Sequence, residues 1–209
     1  TCGDVDLKVT FTAPLFMEDL KLLSRPVNYL TYSVAARDGR EHEVEVYFEA
    51  SPRWALDQPY QQSASKGYEA DGLLYLKSGS KEQNILAKQG DDLRIDWGYF
   101  YMVSGKENTA YSIGNSTELR KNFVNGTLNS ASLEGEDSNG NMALVRSHGK
   151  VKNVTDKIML GYDDIYSIQY FGTNLRPYWN SKGDRTIESE MLGAYNEYDE
   201  LLARCYAFD

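Results

Sequence analysis

The sequence predicts a mainly β protein, built as a two-layer antiparallel β-sandwich, and three observations carry that prediction. Period-two alternation of apolar and polar residues recurs in short stretches, as at residues 5–12 and 43–50. Residues 91–104 (DDLRIDWGYFYMVS) set Leu93, Ile95, Trp97, Tyr99, Tyr101 and Val103 on one face, which predicts a long central strand. Helical spacing dominates only near residue 116 and over the final stretch. Many short strands with few helices pack sheet on sheet.

In chain order, residues 5–12 put Val5, Leu7, Val9 and Phe11 on an inward face, and Pro14, with no amide donor, ends that ladder. Residues 17–23 (MEDLKLL) read as a short helical turn or loop. Residues 27–37 are apolar on both faces, as in a strand buried between layers. Asp38-Gly39 predicts a turn joining them in a hairpin to residues 43–50, where Val44, Val46, Phe48 and Ala50 face inward. Residues 51–67, with Pro52 and Pro59 around Trp54 and Tyr60, read as a loop long enough to be functional. Strand signals return at 72–77 and weakly at 82–87, before the predicted central strand. Gly98 is anomalous there, because an interior glycine weakens a strand unless a bulge or a close backbone neighbour needs the space.

Residues 116–125 predict a helix capped by Ser116 or Thr117, with Leu119 and Phe123 inward and Gly126 closing it. A polar loop follows over 127–141, then strands at 142–147, 154–160 and 166–171 and an irregular stretch at 174–183. At the end Ile187, Met191, Ala194, Tyr198, Leu201, Cys205 and Phe208 form the stripe of one amphipathic helix, with Glu188 and Glu190 near the positive end of its dipole. Residues 1–183 thus form the sandwich, and 184–209 a helix expected to lead into a further, helical domain. The start at Thr1 and the unfinished stripe at Asp209 both suggest a piece of something longer.

A length of 209 residues suits one large domain, and 41% hydrophobic with 25% charged residues is ordinary for a globular chain. The 16 tyrosines suit half-buried strands and interfaces. A net charge of −9 argues against nucleic acid or an anionic membrane as partner. No apolar run is long enough to span a bilayer. Cys2 and Cys205 are too few for a disulfide scaffold. A bridge between them stays open, although Cys205 on the helix core face favours two free, buried thiols.

The sequence holds no GxSxG, HExxH, P-loop, GxGxxG or CxxC pattern, so neither a metal nor a cofactor is expected. His42 and His148 lack ligand spacing and read as surface or loop residues. Residues 134–141 (EGEDSNGN) look oxygen-rich but fail the register of a calcium loop. The candidate catalytic carboxylates are Asp96, Asp163 and Asp164, which would share acid and base duties across a cleft. Turn chemistry is the competing account of the Asp163-Asp164 pair. Trp54, Tyr60, Tyr178 and Trp179 lie in irregular stretches, placed to anchor a neighbouring domain or to stack on a glycan. The sequons at Asn115, Asn125 and Asn153 matter only in a glycosylating host.

VDLKVTFTAPLF (residues 5–16), LLSRPVNYLTYSV (22–34), VEVYFEAS (44–51) and GDDLRIDWGYFYM (90–102) resemble the N-terminal domain of glutaminase A-like proteins, and ESEMLGAYNEYDELLARCYAFD (188–209) resembles that domain's join to a helical one. The resemblance implies a supersandwich-like domain ahead of a helical toroid-like domain, in a secreted or periplasmic protein. It also implies hydrolysis of L-glutamine to L-glutamate and ammonia by the intact protein, with the cleft in the helical part. No catalytic residue of the family is carried over onto this chain. The alternative is a carbohydrate-binding or glycosidase-associated sandwich.

Overall fold

Strands pair antiparallel with their neighbours throughout, and the pairing sorts them into two facing layers. The computed structural model describes residues 2–91, 93–128 and 140–208. One sheet holds β1 (Val5–Thr12), β2 (Val27–Ala36), β4 (Ser63–Ala70), β5 (Leu73–Ser80), β6 (Tyr99–Gly105) and β9 (Asn153–Asp163), in the order β1-β2-β9-β6-β5-β4. The facing sheet holds β3 (His42–Ala50), β7 (Thr109–Gly114) and β8 (Asn141–Val151), in the order β3-β8-β7. A separate hairpin joins β10 (Ile168–Tyr170) to β11 (Thr173–Leu175). The helices are α1 (Leu20–Ser24), α2 (Ser116–Val124), α3 (Ile187–Asn196) and α4 (Tyr198–Phe208).

Both faces of the six-stranded sheet are covered at its centre. Leu74, Leu76, Phe100, Met102 and Ile158 meet Ala50, Tyr111 and Leu144 between the sheets. The opposite face packs Tyr29, Tyr75, Tyr101, Val103 and Met159 against Ile187, Met191, Ala194, Tyr198 and Leu201 of α3 and α4. The terminal stripe is therefore spent on the chain's own sheet. The single helix expected there is two, because Glu197 caps α3 through its N–H on the Gly193 carbonyl, and the stripe carries on across the break.

The sandwich stands, and several local expectations change. The predicted strand over 91–104 begins only at Tyr99, because Gly98 takes a φ of +78° and turns the chain there. β1 forms as predicted, yet its supposed core face is bare, with Phe11 74% exposed and Leu7 and Val9 also exposed. The cause is the unequal width of the layers: the three-stranded sheet ends at β3 and does not extend over β1. Asp38-Gly39 does not make a hairpin either, since β2 and β3 lie in different sheets and the turn crosses between layers.

β4 begins inside the predicted 51–67 loop, and β7 was also unforeseen. β4 reads SASKGYEA, poor in β-formers, because small residues are needed there: Ser65 bonds Ser78 at 3.0 Å, and a Cβ on Gly67 would lie 2.3 Å from the Tyr111 ring. Residues 82–87 form no strand, and the strand predicted over 166–171 shrinks to β10. α2 forms, capped by Asn115 rather than by Ser116 or Thr117. Cys2 and Cys205 form no disulfide, and Cys2 is exposed and Cys205 half-buried rather than both buried. Most of the 127–141 loop, including residues 134–139 of the oxygen-rich stretch, lies outside the described residues.

Glu49, at the end of β3, ties α2 and β8 to its sheet by accepting from Tyr47 Oη at 3.0 Å, Arg120 Nε at 2.8 Å and Asn141 Nδ2 at 2.5 Å. Burial pushes its carboxyl up, but hydrogen bonds from Ser116, Asn141, Arg120 and Tyr47 together outweigh it and hold the group at about 2 against an ordinary 4.5. A depressed carboxyl confers stability above its unfolded value and loses it as pH falls through the folded one. The expected result is that Glu49→Gln removes about 2–3 kcal/mol of the stability lost between pH 5 and pH 2. Urea unfolding across that window checks it, and parallel pH profiles for the two proteins refute it.

Candidate functional site

The strand connections divide sharply by length. At one end of the sandwich they are 37–41, 71–72, 106–108 and residue 152 alone; at the other they are 13–26, 51–62, 81–98 and 115–140, with the chain beyond β9 leaving from the same end. A rigid scaffold with its long loops gathered at one end is the usual arrangement for a functional face.

The loops at that end are braced to one another. Asp96, 1% exposed, accepts on Oδ2 from Lys88 Nζ at 2.8 Å and from Gln61 Nε2 at 3.0 Å. Lys88 also reaches Asp57 at 3.0 Å, and Gln61 Oε1 accepts from the N–H groups of Asp57 and Gln58. The two carboxylates hold the Lys88 ammonium above its ordinary range. Asp96 Oδ1 is buried without a hydrogen-bond partner among the described residues. Loop 81–98 is fixed in turn by Gln83, whose amide both accepts from the Gly98 N–H at 2.7 Å and donates to its carbonyl at 3.1 Å. Trp97 Nε1 donates to the carbonyls of Asp164 at 2.8 Å and Tyr166 at 3.0 Å, joining that loop to the chain after β9.

Asp163 and Asp164 sit at the same end, but each is engaged separately. Asp163 Oδ1 accepts from the Ile165 N–H at 3.0 Å and Asp164 Oδ2 from Ser167 Oγ at 2.6 Å. These bonds are the turn chemistry weighed from sequence. Burial holds the Asp163 carboxyl above its usual range. Asp96 is likewise engaged by its own partner, Lys88.

The aromatic candidates divide by exposure. Trp54 is 62% exposed and meets Phe100 edge-on at 5.1 Å. It rims a cleft of about 300 Å³ that Asn28, Leu160 and Tyr162 also line. Tyr60 and Tyr178 are exposed, whereas Trp179 is buried at 4% exposure and faces the protein's own interior. A larger cleft of about 380 Å³ lies where β3 leaves β1 uncovered, with Phe123 of α2 on its wall, and marks the step between the two layers.

Two groups of polar residues escaped sequence reasoning. Lys77 lies 3.6 Å from the Tyr99 ring centroid, beside Tyr68, whose hydroxyl donates to Glu188 at 2.6 Å. Burial pushes the Lys77 ammonium down while it pushes Asp163 up. The signal was present, since period two puts Lys77 on the inward face of Leu73 and Tyr75. The second group clasps the sheets near the short-turn end. A bulge opposite Val44 and Glu45 leaves His148 unpaired within β8, so it is a strand residue rather than a surface or loop one. Its Nε2 stands 2.7 Å from the Tyr32 hydroxyl, which donates to Asp156 at 3.2 Å, while Arg146 Nε holds the same carboxylate at 2.9 Å. Burial lowers His148 from its ordinary value.

Among the described residues no cluster of His, Cys, Asp and Glu is arranged to hold a metal ion, and no helix is long and apolar enough to cross a membrane. The chain is 28% identical over 183 residues to Glutaminase A from Aspergillus oryzae; the match takes in 81% of this chain and 26% of the relative's length. A family profile described as "Domain of unknown function (DUF5127)" matches residues 1–209 in full. The β-rich chain with its braced loop end therefore belongs to the DUF5127 domain family.

Proposed function

We propose that this chain is the accessory domain of a glutaminase A-like amidohydrolase. In this reading the intact protein converts L-glutamine to L-glutamate and ammonia, outside the cytoplasm, as a secreted or periplasmic protein. The domain packs on a helical domain of the same protein and lends it one braced end. The observation that carries the reading is the similarity to Glutaminase A, which covers most of this chain but only 26% of the relative. The engaged state of the carboxylates supports it too: Asp96 is matched by Lys88, and Asp164 by Ser167, as fits a scaffold better than an acid–base pair.

The test measures glutamine turnover by residues 1–209, by the longer protein, and by the longer protein without this domain. Residues 1–209 are expected to show none, and removing them is expected to lower turnover or stability in the rest. Turnover by residues 1–209 alone sinks the reading, as does unchanged behaviour of the remainder. A second reading, a glycan-binding module, rests on Trp54 beside its cleft. It requires glycan binding that Trp54→Ala abolishes.

A further inference from the structure

The β10–β11 hairpin stands apart from both sheets, and all six of its strand residues are exposed. Its pairing, Ile168 with Leu175 and Tyr170 with Thr173, sets those four residues on one face. The other face carries Gln169 and Asn174, whose side-chain amides bond at 3.0 Å. The hairpin is thus amphipathic, with its apolar side bare. Its tip breaks a second rule. Phe171 and Gly172 have φ of +46° and +80°, the left-handed pair of a type I′ turn, where asparagine or aspartate precedes glycine by preference. A phenylalanine there is strained, and this one is also 90% exposed. Nothing among the described residues offsets either cost, apart from an edge contact with the Tyr170 ring at 4.6 Å.

The base, by contrast, is firm. Trp97 binds the carbonyls of Asp164 and Tyr166, the Ser167 N–H donates to the Leu175 carbonyl at 2.9 Å, and Arg176 stacks on the Tyr166 ring. A lone two-stranded hairpin is marginal in water, so a fixed base with an apolar tip is a pre-organised shape for docking.

We propose that residues 168–175 are a docking arm whose apolar face and Phe171 tip seat in an apolar groove of the longer protein, outside residues 1–209. The proposal rests on the accessory-domain reading above and names the element that makes the contact. Two arguments select this occupant over a second copy. The relative similar to this chain has three-quarters of its length beyond the match, enough to supply the groove. The arm's few apolar side chains amount to a few hundred Å², short of the roughly 800 Å² per partner of a stable free interface. A patch that small suffices when the partner is tethered at high effective concentration. Exposed Arg176 directly follows the arm, so the groove is expected to present an acidic group at that edge.

The decisive variant is Phe171→Asn, because asparagine suits the turn and removes only the tip. In residues 1–209 it is expected to leave the melting temperature unchanged or to raise it. In the longer protein it is expected to lower it, and to speed amide exchange over 168–175 at least tenfold. A change of the same sign in both proteins overturns the arm's role. So does a dimer of residues 1–209 that the variant dissolves, since a second copy then covers the arm. Exchange protection elsewhere on residues 1–209 in the longer protein, with the arm open, refutes the arm and leaves the accessory-domain reading intact. No protection anywhere on these residues refutes both.

Discussion

Glu190→Leu is expected to destabilise the fold by about 3 kcal/mol, the low end of the usual cost of breaking a buried ion pair, because Arg25 keeps its second carboxylate, Glu197. Glu190 is among the few buried charged residues of the molecule. It projects from α3 and accepts from Arg25 Nε at 3.1 Å and from Arg185. The Arg25 guanidinium is almost as enclosed, and its other contact is Glu197, 2.8 Å away and half exposed. These bonds fasten the α3–α4 break to the segment between α1 and β2, far away in sequence. Without Glu190, Arg25 keeps its burial and is left with only the half-exposed Glu197 as counter-charge, while Arg185, being more exposed, turns to solvent. The loss should read as a lower urea midpoint with an unchanged slope. Because burying an ion pair gains little net, the double variant Arg25→Met with Glu190→Leu should recover most of the deficit. A single variant within 1 kcal/mol of the parent, or a double variant as weak as the single, contradicts this account.

That clasp was invisible in the sequence, and the reason is general. Local periodicity reports which side of an element is apolar, so β2, β3, β5 and the terminal stripe were legible from Val27, Val44, Tyr75 and Met191. It does not report what lies opposite. Leu7, Val9 and Phe11 alternate as well as any core strand, yet they are bare because the facing sheet ends at β3. Asp38-Gly39 was a good turn signal, but a turn signal does not say whether the chain returns to its own sheet or crosses to the other. β4 failed the opposite way. Its Gly67 is there to clear the Tyr111 ring and its Ser65 to bond Ser78, and propensity alone does not register demands set by distant neighbours. At the loop end the sequence singled out Asp96 and Trp54, but not the side chains that surround them. Lys88 and Gln61 meet Asp96 only after two loops fold over each other, and no spacing rule connects them.

Gly98→Ala is the second large effect expected, about 3 kcal/mol or more, and here the sequence asked the right question. An interior glycine needed a bulge or a close neighbour, and the neighbour is backbone. A Cβ at residue 98 would lie 2.2 Å from the Asp163 carbonyl oxygen and 2.9 Å from the Asp164 Cα, with φ at +78°. On its other side the Gly98 carbonyl oxygen is approached by Gly79, where a Cβ would stand 2.5 Å from it. Neither contact is the tip of a flexible side chain, so one of two main-chain segments has to shift. Strain in the left-handed region and the steric clash are separable by a control. Gly39 has a similar φ of +73° with nothing within 4 Å of its would-be Cβ, so Gly39→Ala should show the conformational cost alone, about 1 kcal/mol. The excess at Gly98 is then the cost of prising β6 from the end of β9. The same displacement pulls Trp97 from the Asp164 and Tyr166 carbonyls, so its fluorescence should shift to the red before global unfolding. If Gly98→Ala costs no more than Gly39→Ala and leaves the Trp97 emission in place, the loop end is not clamped at this point, and the arm beyond it has no fixed base.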